Sequence, residues 1–203
     1  MIRLGVLISG SGTNLQAIID ATESGALDAE VVLVVSSKPN AYGLVRAHEA
    51  GIPTMALTRD AYVDPTTADV LIAQELKAAG AQYVVMAGYM RKVGHPLLEA
   101  FKDRVINIHP ALLPSFAGAH GIGDAFDAGV KLTGVTVHFA NEEYDTGPII
   151  AQSAVEVAED DDLQSLEARI HATEHVLLPQ TLQLIAEGRV SIDASRKVCI
   201  TYE

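Results

Sequence analysis

Asn107 and His109 are polar residues two positions apart at the end of an apolar segment that begins at Val105. The segment favours a β-strand, and because alternate side chains of a strand share a face, Asn107 and His109 are predicted to lie side by side. Pro110 cannot donate to a strand ladder, so the strand is predicted to end at His109. An amide can donate to a developing oxyanion, and an imidazole can transfer a proton near neutral pH. A hydrogen-bonded histidine beside a turn-forming asparagine is an equally open interpretation of these two residues alone.

A glycine-rich turn near the amino terminus could bind an anion. Residues 2–8 form a continuous apolar run, typical of a strand buried on both faces, and apolar residues recur at helical spacing from Leu15 onward. The intervening Ser9-Gly10-Ser11-Gly12-Thr13-Asn14 is therefore a strand-to-helix turn, where backbone N–H groups at a helix start can face an anion. A glycine turn with a capped helix and no ligand is the alternative.

The glycine turn does not fit the common dinucleotide motifs. Leu15 stands where a dinucleotide fingerprint has its third glycine, and no Lys-Ser/Thr pair follows as in a Walker loop. The second predicted strand, residues 31–35, ends in Ser36-Ser37-Lys38, without the acidic residue that would hold the ribose of NAD. A single phosphate is therefore the predicted ligand of the turn.

Predicted strands alternate with predicted helices along most of the chain. Beyond the second strand, helices are predicted at 42–50, 69–79, 124–128 and from 163 onward, and strands at 54–57, 83–87, 105–109, 133–140 and 149–151, with a closing hairpin at 189–201. This alternation predicts an α/β fold with a Rossmann-like open, mostly parallel sheet flanked by helices. In such sheets ligands bind at the carboxyl ends of the strands, which is where His109 is predicted to lie.

Two carboxylates have unusual sequence surroundings. Asp145 precedes a Gly-Pro pair and, taken alone, is typical of a turn aspartate. Glu174 falls on the apolar stripe of the long helix, four residues from both Ile170 and Leu178, so it needs a partner. That partner could be a structural ion pair or a group of a ligand. Pro179 is expected to kink or restart this helix.

Composition narrows the functional classes. The 203 residues are 49% hydrophobic, their apolar runs are too short to span a bilayer, and the first residues lack the features of a signal peptide. The single cysteine, Cys199, excludes an intrachain disulfide and fits a cytoplasmic protein. The formal charge of −12 disfavours nucleic acid as a partner but permits an anionic small molecule held by local donors.

Several motifs in this order resemble the phosphoribosylglycinamide formyltransferase family, which uses folate and acts in purine synthesis. The resemblance covers nearly the whole chain. The motifs are Ser9-Gly10-Ser11-Gly12-Thr13-Asn14-Leu15-Gln16-Ala17-Ile18, Ala87-Gly88-Tyr89-Met90-Arg91, Asn107-Ile108-His109-Pro110-Ala111-Leu112-Leu113-Pro114, Gly134-Val135-Thr136-Val137-His138-Phe139, Asp145-Thr146-Gly147-Pro148-Ile149 and Glu174-His175. Related families with an added regulatory or carboxyl-terminal domain do not fit in 203 residues.

The resemblance implies a role for each matching residue. One domain, residues 1–203, would bind the nucleotide with its amino-terminal part and would bind folate and perform catalysis with its carboxyl-terminal part. The implied catalytic residues are Asn107, His109 and Asp145. The implied ribonucleotide-binding residues are Gly12, Thr13, Asn14, His171, Ala172, Thr173 and Glu174. The implied folate-binding residues are Met90, Arg91, Lys92, Val93, Asn107, Asn141, Glu142, Glu143, Tyr144 and Asp145.

Two positions depart from the family pattern. Many members carry a further histidine and an arginine where this chain has Gly121-Ile122-Gly123, and this glycine-rich stretch is expected to be a more mobile loop. An arginine common before the third helix has no match near Pro65 and Thr66. In other members it helps to hold the folate tail.

The implied reaction is formyl transfer from the cosubstrate 10-formyltetrahydrofolate to the amine of glycinamide ribonucleotide. Asn107 and His109 would stabilise the oxyanion, and Asp145 would favour the cationic form of His109 and relay a proton. The expected partners are small molecules, without nucleic acid, membrane or metal, and the chain is expected to be a monomer or a homodimer. Hydrolysis of the same folate, and a catalytically silent nucleotide- or folate-binding protein, are the alternatives.

Overall fold

The computed structural model describes residues 1–62 and 64–201. The chain forms two compact units, Met1–Asn107 and Ile108–Glu203. The single domain over residues 1–203 stays a prediction.

The first unit is built on parallel strands with apolar sequences. These are β1 (Ile2–Ile8), β2 (Ala29–Ser36), β3 (Thr54–Ala56), β4 (Tyr83–Met86) and β5 (Val105–His109), in the order β3-β2-β1-β4-β5. All four neighbouring pairs are parallel, and β5 continues into the second unit. The central strand β1 is buried from Leu4 to Ile8, in agreement with its uninterrupted apolar run.

The helices of the first unit follow its strands. They are α1 (Thr13–Glu23), α2 (Tyr42–Glu49), α3 (Pro65–Ala78) and α4 (His95–Ala100), the last of which the sequence analysis missed. Helix α3 begins four residues before the predicted Asp69. The Asp64 side chain accepts from the backbone N–H groups of Thr66 and Thr67 at 3.1 and 3.2 Å, and Pro65 suits a first helical position.

The second unit combines an antiparallel strand pair with a long helix. Its elements are α5 (Gly121–Asp127), β6 (Leu132–Phe139), β7 (Ile149–Glu156), α6 (Leu163–Ala186), β8 (Val190–Ile192) and β9 (Val198–Ile200). The strand order continues as β5-β6-β7, with β6 antiparallel to β7, and α6 packs against both of these strands. The predicted α/β fold, a mostly parallel sheet flanked by helices, is confirmed, and so is the closing hairpin.

One local expectation in the second unit is wrong, and another is wrong in part, since a restart at Pro179 is contradicted and a kink there stays a prediction. Gly121-Ile122-Gly123 is not a loop but the first turn of α5, because Ile122 and Ala125, three residues apart, are both buried on one helical face. Pro179 does not restart the long helix, since α6 runs without interruption from Leu163 to Ala186. The capping box of Asp162 and Ser165 fixes its start as the acidic run predicted.

The space around Gly134 on β6 is too small for a side chain. A substitution there therefore tests how closely β6 packs against β7 and Leu112. A Cβ at this position would overlap the carbonyl oxygen of Ser153 and lie 2.8 Å from Leu112 Cδ2. Gly134→Ala should therefore lower the free energy of unfolding by about 1–3 kcal/mol, as overpacking does. Denaturant unfolding of the variant and of the wild type measures this loss.

Gly123→Ala is the matched control for the packing argument. A Cβ at this position of α5 would have no neighbouring atom within 4 Å. The change should raise stability by about 0.5–1 kcal/mol, because alanine loses less conformational entropy in a helix than glycine. Equal stability of Gly134→Ala and Gly123→Ala would contradict the packing argument.

Candidate active site

His109 ends β5 as a buried side chain with oxygen atoms at both ring nitrogens. Nε2 lies 2.8 Å from the carbonyl oxygen of Phe116, and Nδ1 lies 3.4 Å from Oδ2 of Asp145. A carbonyl oxygen only accepts hydrogen bonds, so Nε2 carries the proton of that contact. Both ring nitrogens of His109 thus face acceptors.

Asp145 is a buried carboxylate that several donors hold. The backbone N–H of Gly118 donates to Oδ2 at 2.9 Å, and Nε2 of His138 lies 3.7 Å from Oδ1. The backbone of Asp145 is left-handed, with φ of 55°, in the turn that leads to β7. Only a glycine fits at position 147 of this turn, because a Cβ there would overlap the carbonyl oxygen of Phe139.

The surroundings of Asp145 keep its carboxyl group ionised. Burial alone raises the pKa of Asp145, but the nearby His138 ring and the hydrogen bond from the Gly118 N–H act in the opposite direction. The charges of His109 and His138 add to this lowering, and the net pKa of Asp145 is below its usual value. A negative charge therefore lies beside the His109 ring at neutral pH.

His138 belongs to this cluster although the sequence analysis gave it no role. It is 1% exposed, and its Nδ1 lies 3.0 Å from the carbonyl oxygen of Phe139, so Nδ1 is the donor of that contact. This contact turns Nε2 towards Asp145. Alternation along β6 puts His138 on the same face as Thr136, and a histidine on a buried strand is the signal that could have found it.

A polar network fixes the segment that follows His109. The hydroxyl of Thr136 donates to the carbonyl oxygen of Ala111 at 2.7 Å and accepts from the N–H of Leu113 at 3.0 Å. The amide of Gln152 on β7 donates to the Leu113 carbonyl at 2.9 Å. Strands β6 and β7 therefore hold the backbone just beyond His109 with hydrogen bonds, of which the two made by Thr136 are buried.

Asn107 lies on β5 with His109, as the sequence predicted. In the first unit it pairs with Met86 of β4, and its side chain is half-buried. Two-residue spacing along one strand gives Asn107 and His109 the same face. The functional roles of both residues stay predictions.

The glycine turn of the first unit begins α1 without a side-chain cap. Gly12 occupies the N-cap position with φ of 72°, and the first turn of α1 has no acidic residue. Thr13 opens the helix, and the Asn14 side chain is buried. Uncapped N–H groups at a helix start can donate hydrogen bonds to an anion, and the helix dipole favours negative charge there.

The two predicted folate segments each combine exposed residues with a buried last residue. Met90, Arg91 and Lys92 are exposed and Val93 is buried. The Met90 N–H donates to the Ser9 hydroxyl at 2.9 Å, which ties this segment to the end of β1. The other segment is the loop Asn141, Glu142, Glu143, Tyr144 and Asp145, where Asn141 Nδ2 donates to the Thr146 hydroxyl at 2.9 Å. Burial, followed by the charge of Asp145, raises the pKa of Tyr144.

Glu174 has a partner on its own helix. His171, one turn earlier on α6, places Nδ1 2.8 Å from Oε2 of the buried Glu174. This hydrogen bond raises the pKa of the half-exposed His171. Between them, Ala172 is exposed, and the Thr173 hydroxyl donates to the Arg169 carbonyl at 2.9 Å. The ion pair meets the need of a buried carboxylate, and the ligand-binding alternative stays open.

Neither a metal cluster nor a membrane-spanning helix is found in the described ranges. Among residues 1–62 and 64–201, no group of three or more His, Cys, Asp or Glu side chains could hold a metal ion. In the same part of the chain, no helix is both long and apolar enough to cross a membrane.

The chain is similar to proteins of known families over nearly its whole length. The family model described as formyl transferase matches residues 2–182. The trifunctional purine biosynthetic protein adenosine-3 of Drosophila melanogaster is 44% identical over 192 residues, which cover 94% of this chain and 14% of that protein. The phosphoribosylglycinamide formyltransferase of Bacillus subtilis is 40% identical over 183 residues, which cover 90% of this chain and 94% of that protein.

A solved structure agrees along the entire chain. Glycinamide ribonucleotide transformylase 1 from Symbiobacterium toebii has a TM-score of 0.96 and 47% identity, and the match covers 100% of this chain and 95% of that one. The chain spans only 14% to 20% of the trifunctional relatives that it matches. Those proteins therefore contain much sequence with no counterpart here.

His138 gives a test of how the Asp145 charge is maintained. His138→Asn removes the ring contact and the charge that lower the pKa of Asp145, so the carboxyl should titrate at a higher pH. A lowered pKa stabilises the fold above the unfolded-state value of about 3.9, and this contribution is lost as pH falls through the folded value. The variant should therefore lose more stability at pH 7 than near pH 3.

Carbon-13 NMR of the Asp145 carboxyl measures the pKa directly. His138→Gln keeps a neutral donor and should give a pKa between those of the wild type and His138→Asn. His48→Gln changes an exposed histidine of α2 and should leave the titration unchanged. An unaltered Asp145 titration in His138→Asn would contradict this account of the cluster.

Proposed function

The chain belongs to the formyl transferase family, and from this premise we propose that it transfers the formyl group of 10-formyltetrahydrofolate to the amine of glycinamide ribonucleotide, a step of purine biosynthesis. The observation that carries the proposal is the buried contact of 3.4 Å between His109 and Asp145. The pair supplies a polarised imidazole and a base, which acyl transfer to an amine requires. Relatives that the chain covers almost completely bear the name of this activity.

The proposed reaction has one tetrahedral intermediate. The amine nitrogen of the ribonucleotide attacks the formyl carbon and forms a new C–N bond, and the formyl oxygen becomes an oxyanion. The amide of Asn107 and the ring of His109 donate hydrogen bonds to that oxyanion. Asp145 takes the amine proton, directly or through water, and the folate nitrogen receives a proton as its bond to the formyl carbon breaks.

His109 must exchange one hydrogen bond to take part. Its Nδ1 faces the Asp145 carboxylate, a charged and therefore stronger acceptor, so this contact is kept through the reaction. The Nε2–H donates to the neutral carbonyl of Phe116, and this is the weaker acceptor of the two. In the proposed complex the oxyanion replaces the Phe116 carbonyl as the acceptor of the Nε2–H.

The family resemblance supplies the proposed binding residues. The turn of Gly12, Thr13 and Asn14 would hold the ribonucleotide phosphate, and the α6 segment His171–Glu174 would contact the rest of the nucleotide. Such anchoring supplies the proximity that a transfer between two substrates needs. The folate would contact two segments and Asn107. These segments are Met90–Val93 and Asn141–Asp145.

The proposal also includes the setting of the reaction. We place the enzyme in the cytoplasm, as a monomer or a homodimer that acts on small molecules. It needs no metal, because the oxyanion is stabilised by hydrogen-bond donors, and nucleic acid and membrane are not partners. Hydrolysis of the folate would use Asn107, His109 and Asp145 in the same way, so it is the competing activity.

The product of a labelled formyl donor separates transfer from hydrolysis. With both substrates present, the label should appear in formylglycinamide ribonucleotide, because the anchored amine outcompetes water. Without the ribonucleotide, little labelled formate should form. Chromatography of the products gives both quantities. Label that leaves mainly as formate in both reactions would replace the transferase by a hydrolase.

Replacement of either proposed oxyanion donor tests the site itself. Asn107→Ala and His109→Ala should each lower kcat on the order of a hundredfold or more, as loss of such a donor does in other enzymes. Single-turnover kinetics with saturating substrates isolates the chemical step. His48→Ala on the surface of α2 is the control and should keep its rate. Near-normal turnover in His109→Ala would remove His109 from the mechanism.

A further inference from the structure

We propose that Arg46 is a positioning residue that orients the backbone of the glycine turn towards the substrate phosphate. The inference rests on the proposed function, which gives the phosphate to this turn. Arg46 lies on α2, 35 positions from Ser11, and donates from Nε to the Ser11 carbonyl oxygen at 2.9 Å. The family motifs that identify the turn do not include it.

Three contacts fix the Arg46 guanidinium. Besides the Ser11 carbonyl, Nη1 donates to Oε1 of Gln16 on α1 at 3.1 Å. The Tyr42 ring lies under the group, with Cζ 5.1 Å from the ring centroid. Gln16 is itself held, since its Nε2 donates to Asp20 at 2.8 Å. A planar group bound in two directions and stacked on a ring has little freedom to move.

The Ser11 contact determines where the Gly12 N–H points. In a trans peptide the C=O and the following N–H lie in one plane and point in opposite directions. Because Arg46 holds the Ser11 carbonyl on the α2 side, the N–H of Gly12 is directed away from α2. The preceding peptide is held in the same manner, since the N–H of Gly43 donates to the Gly10 carbonyl at 3.1 Å.

Close packing prevents the turn from adopting another arrangement. A Cβ on Gly12 would lie 2.5 Å from Cα of Gly43, so the turn and α2 touch backbone to backbone. The Gly12 carbonyl accepts the first hydrogen bond of α1, from the Gln16 N–H at 2.9 Å. The carbonyls of Gly10, Ser11 and Gly12 thus all have donors, and none of them is left to turn towards an incoming anion.

The positive charge of Arg46 also favours an anion at the glycine turn. Within residues 1–62 and 64–201, Arg46 contacts only neutral acceptors and forms no ion pair with a carboxylate. In this part of the chain Arg46 has no carboxylate partner, although acidic residues outnumber basic ones in the whole sequence by 26 to 14. A cation in such surroundings raises the potential beside the start of α1, where the phosphate is proposed to bind.

The test compares two amine substrates that differ only in the phosphate. These are glycinamide ribonucleotide and the dephosphorylated glycinamide ribonucleoside. The ratio of their kcat/KM values measures how much the phosphate contributes. Arg46→Met should lower this ratio roughly tenfold, the effect of one charge-assisted hydrogen bond. The KM for 10-formyltetrahydrofolate and the rate with the ribonucleoside should stay near wild type, which a general loss of structure would not allow.

Arg104→Met is the matched control. Arg104 also lies over a tyrosine, with Cζ 6.0 Å from the Tyr83 ring, but it is exposed and precedes β5 at the amino ends of the strands. Arg104→Met removes the same charge as Arg46→Met but leaves the contacts of the glycine turn intact. The ratio of kcat/KM values for the two amine substrates should therefore equal that of the wild type. Arg46→Lys keeps the charge but cannot hold the Ser11 carbonyl and Gln16 in one plane, and its ratio should also fall.

The outcomes separate the two proposals. A wild-type enzyme that shows no preference for the phosphorylated amine overturns the proposed phosphate site, and the inference with it. A wild-type preference that Arg46→Met leaves intact overturns only the role of Arg46. If Arg46→Met does not fold, Arg46→Lys decides: a lowered ratio supports the orienting role, and a wild-type ratio overturns it.

Discussion

The buried carboxylate of Asp145 is the constraint on which the second unit depends. A charge removed from water is costly unless donors and opposite charges surround it. Here one backbone N–H from Gly118 and the rings of His109 and His138 supply them, and each comes from a different segment. The turn with Gly147, the end of β5 and the strand β6 are therefore fixed relative to a single functional group.

The same contacts hold the segment between His109 and α5 against the side chains of His109 and Asp145. The Phe116 carbonyl accepts from His109, the Gly118 N–H donates to Asp145, and Gly121 leaves room for the imidazole, since a Cβ there would lie 3.0 Å from Nε2. A segment that satisfies both polar groups in this way shields them from water. In the proposed mechanism the substrate competes with the Phe116 carbonyl for the His109 proton.

The sequence predicted features whose causes are local, and it failed where they depend on distant contacts. Continuous apolar runs such as β1 identify buried parallel strands, and two-residue spacing places Asn107 and His109 on one face. The first turn of α5 was not predicted, because glycine disfavours helix and only the burial of Ile122 in the folded unit compensates. His138 was missed for the same reason, since its partner Asp145 comes from another segment of the chain and only folding brings them together. Glu174 lies between these cases: the apolar stripe predicted that it needs a partner, but could not identify His171 as that partner.

The proposed action on a phosphorylated substrate poses an electrostatic problem for a chain with an excess of acidic residues. With a formal charge of −12, its long-range field repels an anion, but this repulsion is screened within about 8–10 Å at physiological salt. Binding therefore depends on donors in direct contact with the ligand, and backbone N–H groups at the start of α1 need no positive side chain to act. Such groups are effective only when their direction is fixed, because a peptide that rotates presents its carbonyl instead. In the first unit that direction is set by Arg46 and by the close contact of Gly12 with Gly43. Arg46 therefore favours phosphate binding in two ways, through its positive charge and through the orientation of the backbone N–H groups.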